Sequence, residues 1–127
     1  MTIVALALLT VLITGCYDGD TCTTSTGEKI RLACIDAPEI SGWNKEPVPA
    51  KASRDYLYSM LKEKRLIIHR YGTDRHGRTV ADLRFENGLI VNELMLDAKH
   101  AETYENYATH CHWYKERLLR ESLLLKV

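Results

Sequence analysis

Hydrophobic and polar positions along this chain alternate in short runs, interrupted by stretches that repeat every three or four residues. Residues 10 to 17, Thr-Val-Leu-Ile-Thr-Gly-Cys-Tyr, read as a buried first strand. Thr21 to Thr24 and Lys29 to Ile35 are β-prone, and Ser25-Thr26-Gly27-Glu28 between them is turn chemistry, so the two predict a hairpin. Pro38 ends the second strand, and Ser41 to Pro49, with Gly42 and Pro47, predicts a loop. From Ala50 to Lys64, Ala52, Tyr56, Leu57, Met60 and Leu61 recur at helical spacing and predict an amphipathic helix with that face inward.

Arg65 to Tyr71 is a strand centred on Leu66, Ile67 and Ile68; Gly72 to Gly77 is a turn; Thr79 to Phe85 is a strand closed by Asn87-Gly88. Leu89 to Asp97 predicts a short helix with Val91, Leu94 and Met95 inward. Tyr104 to His110 is polar and irregular. His112 to Lys126 predicts a last helix with an apolar stripe of Tyr114, Leu118, Leu119, Ser122 and Leu125. Five short strands interrupted by one helix, with more helix at the end, predict an α+β domain around a small closed barrel.

Composition changes this picture little. At 127 residues, 46% apolar and 27% charged, the chain is one ordinary folded domain. Lys plus Arg and Asp plus Glu both number 17, so net charge argues neither for nor against a nucleic-acid partner. The distribution is less even: Lys62 to Arg84 holds seven basic residues against three acids, a local basic face.

The N-terminus supports two readings. Residues 1–9 are an apolar lead, and Ile3 to Ile13 suits a signal-peptide core while being short for a membrane span. Ile13-Thr14-Gly15-Cys16 resembles a lipoprotein cleavage box. However, no Lys or Arg precedes Lys29, and cleavage before Cys16 would remove the first strand. Secretion or envelope attachment therefore competes with a cytoplasmic protein whose domain runs over residues 10–127. Four cysteines leave pairing open: Cys22 with Cys34 across the hairpin, Cys16 with Cys22 around the acidic turn, or buried free thiols.

The chemistry lies in two places. Asp18-Gly19-Asp20-Thr21 and Arg31 to Glu39 carry clustered acids with one arginine, and Asp74-Arg75-His76-Gly77-Arg78 is a basic turn. Asp20 and Asp36 are the best metal ligands; two carboxylates, a backbone carbonyl and water make a flexible oxygen shell suited to Ca²⁺ more than to Mg²⁺. Gly19 permits the tight turn that aims Asp20. Arg31 and Arg78 are planar donor forks matched to phosphate oxygens, on which charge builds during attack at phosphorus. Glu39 is placed to accept a proton from a water or to orient it. Tyr104 and Tyr107, in a polar segment, suit stacking on bases. His69, His76, His100, His110 and His112 lack the spacing of a zinc site. One difficulty is parity. Arg31 and Asp36 are an odd number of residues apart, so in a straight strand they face opposite ways and meet only if the strand coils or bends.

On Tyr17 through Thr21, Arg31 through Glu39, Asp74 through Arg78 and Val91-Asn92-Glu93-Leu94, the chain resembles the staphylococcal nuclease (thermonuclease) family. The resemblance implies an OB-type five-stranded barrel with about three helices, and Ca²⁺-dependent hydrolysis of DNA and RNA with little sequence preference. It places Asp20, Asp36 and the carbonyl of Ala37 around one divalent cation, and Arg31, Glu39 and Arg78 at the catalytic positions. Arg75 and His76 fall at phosphate-contacting positions, and Tyr104 and Tyr107 near nucleotide-binding ones. Single-stranded or flexible regions are the favoured substrate, with no organic cofactor, and the protein is expected to act as a monomer. The alternative is a non-catalytic OB-fold module that binds nucleic acid or protein.

Overall fold

A computed structural model describes residues 9–125. Strands β1 (Thr10–Asp18), β2 (Thr21–Thr24), β3 (Lys29–Leu32), β6 (Thr79–Arg84) and β5 (Arg65–Thr73) hydrogen-bond in that order and close a five-stranded barrel. All neighbours are antiparallel except β3 and β6. A two-stranded ribbon of β4 (Ile35–Asp36) and β7 (Glu102–Thr103) flanks it, with helices α1 (Pro47–Leu61), α2 (Val91–Asp97) and α3 (His112–Leu125) outside. The expected α+β barrel with three helices is the architecture found.

Alternation builds the core. Val11 and Ile13, Ile30 and Leu32, Leu66 and Ile68, and Ala81 and Leu83 are pairs two residues apart that all point inward. Leu57 and Leu61 of α1 and Val91 and Met95 of α2 seal the barrel from outside. Each large apolar side chain so buried contributes about 1.5–3 kcal/mol.

The first strand forms as Thr10–Asp18, but of its residues only Val11, Ile13 and Asp18 are buried, and Tyr17 is 56% exposed. Residues 1–8, which carry most of the export or anchor signal, lie outside the described residues. No helix among the described residues is long and apolar enough to cross a membrane.

Four expectations are corrected. The strand over Lys29 to Ile35 breaks after Leu32, because Cys34 takes a left-handed backbone (φ 66°). A disulfide to Cys111 and a hydrogen bond from the Tyr104 N–H to the Cys34 carbonyl (2.9 Å) hold it there. The cysteines pair as Cys16–Cys22, register partners across β1 and β2, and as Cys34–Cys111. Neither a Cys22–Cys34 bridge nor free thiols occur, since the break turns Cys34 away from β2.

Helix α1 begins and ends three residues early and rolls its face. Proline is tolerated in a first turn, so the helix starts at Pro47. Ala50, Ser53, Leu57 and Leu61 are buried, whereas Ala52 is exposed and Tyr56 is 37% exposed. Polar Ser53 is admitted because its hydroxyl donates to the His100 carbonyl (2.8 Å).

The stripe expected on α3 is not buried. Leu118 is 44%, Leu119 65% and Leu125 89% exposed, and only Trp113 of this helix is buried. Beyond its first turn α3 is held by charge, with Arg117 on Asp97 (2.8 Å) and Arg120 on Glu93 (2.9 Å).

Candidate active site

The β1–β2 turn places Asp18, Gly19 and Asp20, all buried, against the entrance of α1. Gly19 is needed here for space rather than for an unusual φ. A Cβ at this position would lie 2.7 Å from the Ser53 Cβ and 2.8 Å from the Ala37 Cβ, and neither atom can swing away. The close approach lets the Ala37 N–H donate to Asp20 Oδ2 (2.8 Å), while the Thr21 hydroxyl donates to Oδ1 (3.0 Å). Asp18 Oδ1 accepts the Asp20 N–H (3.1 Å).

The left-handed residue at position 34 resolves the parity difficulty. It reverses the facing of the chain between β3 and β4, so Arg31 and Asp36 reach one site. Arg31 Nη2 lies 3.5 Å from Asp20 Oδ2 and 3.7 Å from Asp36 Oδ1. Its Nη1 donates to the carbonyls of Leu32 (2.6 Å) and Ile35 (2.9 Å), fixing the guanidinium to both sides of the break.

Arg78 arrives from the β5–β6 turn. Its Nε pairs with Asp74 Oδ2 (2.8 Å), and its Nη1 approaches the Thr21 hydroxyl at 3.5 Å. Asp74 Oδ1 accepts the N–H groups of His76 (2.9 Å) and Arg78 (3.0 Å), so one aspartate shapes the turn and aims the arginine. Burial works against the Asp74 charge, but hydrogen bonds from Arg78 and His76 outweigh it and hold the carboxyl below its usual range.

The acids across the site are short of positive charge. Burial first, then Asp20, lift Asp18 to about 7. Burial and Asp20 also raise Asp36, against the opposing pull of Arg31. Glu39 is raised by burial, Asp20 and Asp36, with Arg31 and Arg78 pulling the other way. An all-oxygen donor set that repels itself is the chemistry that fits a hard divalent cation. No group of three His, Cys, Asp or Glu side chains among the described residues is close enough to hold one. A cation there would take Asp20 and Asp36, with the Ala37 carbonyl and water completing its shell.

Two concavities meet at the Arg31–Asp36 pair. The larger, about 570 Å³, is lined by Arg31, Arg75, His76, Arg78, Tyr104 and Tyr107. The two tyrosine rings lie 5.2 Å apart and are 36% and 51% exposed. The smaller, about 370 Å³, is lined by Asp36, Ala37, Glu39, Asn44, Lys99 and His100. All ten residues nominated from the sequence thus gather in one region. Asp18, Thr21 and Asp74 belong to it too and were not nominated. An Asp-x-x-Gly-Arg turn was the available signal for Asp74; nothing local distinguishes Thr21 from the other threonines of β2.

A family model described as staphylococcal nuclease homologue matches residues 29–122. An uncharacterized endonuclease of Escherichia coli O157:H7 is 34% identical over 95 residues, covering 72% of this chain and 59% of that protein. A probable staphylococcal-like nuclease of Oryza sativa subsp. japonica is 34% identical over 95 residues, 74% of this chain and 18% of its own length. A probable endonuclease of Phaeosphaeria nodorum is 34% identical over 80 residues, 60% and 27% respectively. The chain therefore spans a little over half of the bacterial relative and much less of the other two.

Proposed function

We propose that this chain, which belongs to the staphylococcal nuclease family, is a metal-dependent nuclease. It hydrolyses phosphodiester bonds of DNA and RNA with little sequence preference and favours flexible or single-stranded regions. The observation that carries this reading is the convergence of two guanidinium groups on one carboxylate. Arg31 reaches Asp20 directly, and Arg78 reaches it through the Thr21 hydroxyl.

The working parts follow from that arrangement. Arg31 and Arg78 donate to the non-bridging phosphate oxygens, where negative charge grows as the nucleophile attacks, and so favour the transition state over the ground state. Glu39 stays near both arginines with its pKa raised, which makes it a better proton acceptor for a neighbouring water. Tyr104 and Tyr107 offer a stacked aromatic face for bases, and Arg75 and His76 line the same cleft for phosphate. One Ca²⁺ on Asp20, Asp36 and the Ala37 carbonyl would neutralise phosphate charge as a Lewis acid.

The test is digestion of denatured DNA by the purified protein with Ca²⁺, repeated after chelation. Degradation that disappears with the chelator is expected. Equal or absent degradation in both arms overturns the reading, and binding without cleavage in both favours a non-catalytic module.

A further inference from the structure

Trp43 is 98% exposed, more than any other large apolar side chain among the described residues. The chain's second tryptophan, Trp113, is 3% exposed. No hydrogen bond or ring contact within the described residues engages the Trp43 side chain. The loop that carries it is nevertheless tethered on both sides. The Tyr17 hydroxyl bonds the Ser41 hydroxyl (2.5 Å), the Glu46 N–H donates to the Glu39 carbonyl (2.7 Å), and Glu39 and Lys45 pair as an isolated bridge. A large aromatic ring is therefore held out in water beside the smaller concavity, whose wall includes the adjacent Asn44. Folding gains nothing from that display, and exposed aromatic rings on anchored loops are typical of binding surfaces.

We propose that Trp43 is a stacking platform for a base of the substrate strand, on the flank that Tyr104 and Tyr107 do not line. This rests on the nuclease reading and extends its substrate to a strand of several nucleotides. Trp43 lies four positions beyond Glu39, a reach of at most about 14 Å. That reach keeps the stacked base within a few nucleotides of the cleaved bond. Stacking reads no base edge, so it adds affinity without sequence preference. Lys45, two residues from the ring, supplies a neighbouring cation for the strand's phosphate.

Kinetics on a dinucleotide and on a 12-residue single strand, for wild type, Trp43→Ala and Trp43→Phe, test the proposal. The alanine penalty should grow with strand length and fall on KM, by on the order of 5- to 100-fold on the 12-mer. Phenylalanine should restore most of it. Equal KM for wild type and Trp43→Ala on the 12-mer, with the wild type cleaving normally, overturns the proposal and leaves the nuclease reading intact. Where the wild type cleaves neither substrate, the nuclease reading fails, and fluorescence decides the stacking separately because Trp113 is buried. Quenching of Trp43 emission by a 12-mer supports the contact. No response to the 12-mer, or a response only to lipid vesicles, overturns it.

Discussion

Two buried aspartates in this molecule have opposite surroundings. Asp82 on β6 is fully buried, and its carboxylate accepts from the Tyr71 hydroxyl (2.6 Å), the Asn92 amide (3.1 Å) and the Trp113 indole (3.0 Å). These donors come from β5, α2 and α3, so one carboxylate ties a neighbouring barrel strand and two outer helices to β6. Burial, and then the bond to Asp82, push the Tyr71 phenol well above its usual value and keep its proton in that bond. Asp18, only 4% exposed at the β1–β2 turn, has another carboxylate beside it and is lifted to about 7. A buried acid supplied with neutral donors is structural. A buried acid left against its own kind stores electrostatic cost that a bound cation would relieve.

That contrast predicts a division between stability and turnover. The largest effect is expected for Asp82→Ala, which leaves the buried Trp113 indole without its acceptor and removes the bonds from Tyr71 and Asn92 as well. It should lower unfolding free energy by about 3–5 kcal/mol in urea titrations. Turnover per folded molecule should hold, and a stability loss below about 1 kcal/mol would break the comparison.

Arg78→Ala should do the reverse. Turnover on denatured DNA should fall by a factor on the order of 10² or more, while the urea midpoint moves little because Arg78 is a half-exposed turn residue. A matching loss of stability would make Arg78 structural.

The smallest effect sharpens the contrast. Asp18→Asn keeps an oxygen for the Asp20 N–H and removes the repulsion. With a chelator present it should stabilise the protein by about 1 kcal/mol. A carboxyl with a raised folded pKa destabilises the fold increasingly as pH climbs from its ordinary value of 3.8 to about 7. The gain from Asn should therefore be full above about pH 7 and vanish towards pH 4. A gain that is independent of pH would contradict the electrostatic origin.

Periodicity made the barrel legible, because core pairs such as Ile30 and Leu32 or Leu66 and Ile68 recur two residues apart and the turns carry Gly, Asn and Asp where the chain reverses. It failed on α1 and α3, where apolar content was read as burial. Buried Ser53 depends on a carbonyl 47 residues away, and the exposed leucines of α3 depend on how little of the helix touches the body. The same limit applied to Asn92. It looks like an ordinary polar position in a short helix, yet it is fully buried because it bonds Asp82 and the carbonyls of Ala33 (2.9 Å) and Ala81 (3.3 Å).

Local order along the chain was enough to determine the strand ladder, the acidic and basic turns and the residue types of the site, since period, turn chemistry and charge act between near neighbours. Tertiary structure alone decided that Arg31 and Asp36 face each other. The left-handed bend at Cys34 that joins them is held by Cys111, 77 residues away, and by Tyr104. A strained backbone persists only where distant contacts hold it, and such contacts leave no periodic trace in the neighbouring residues.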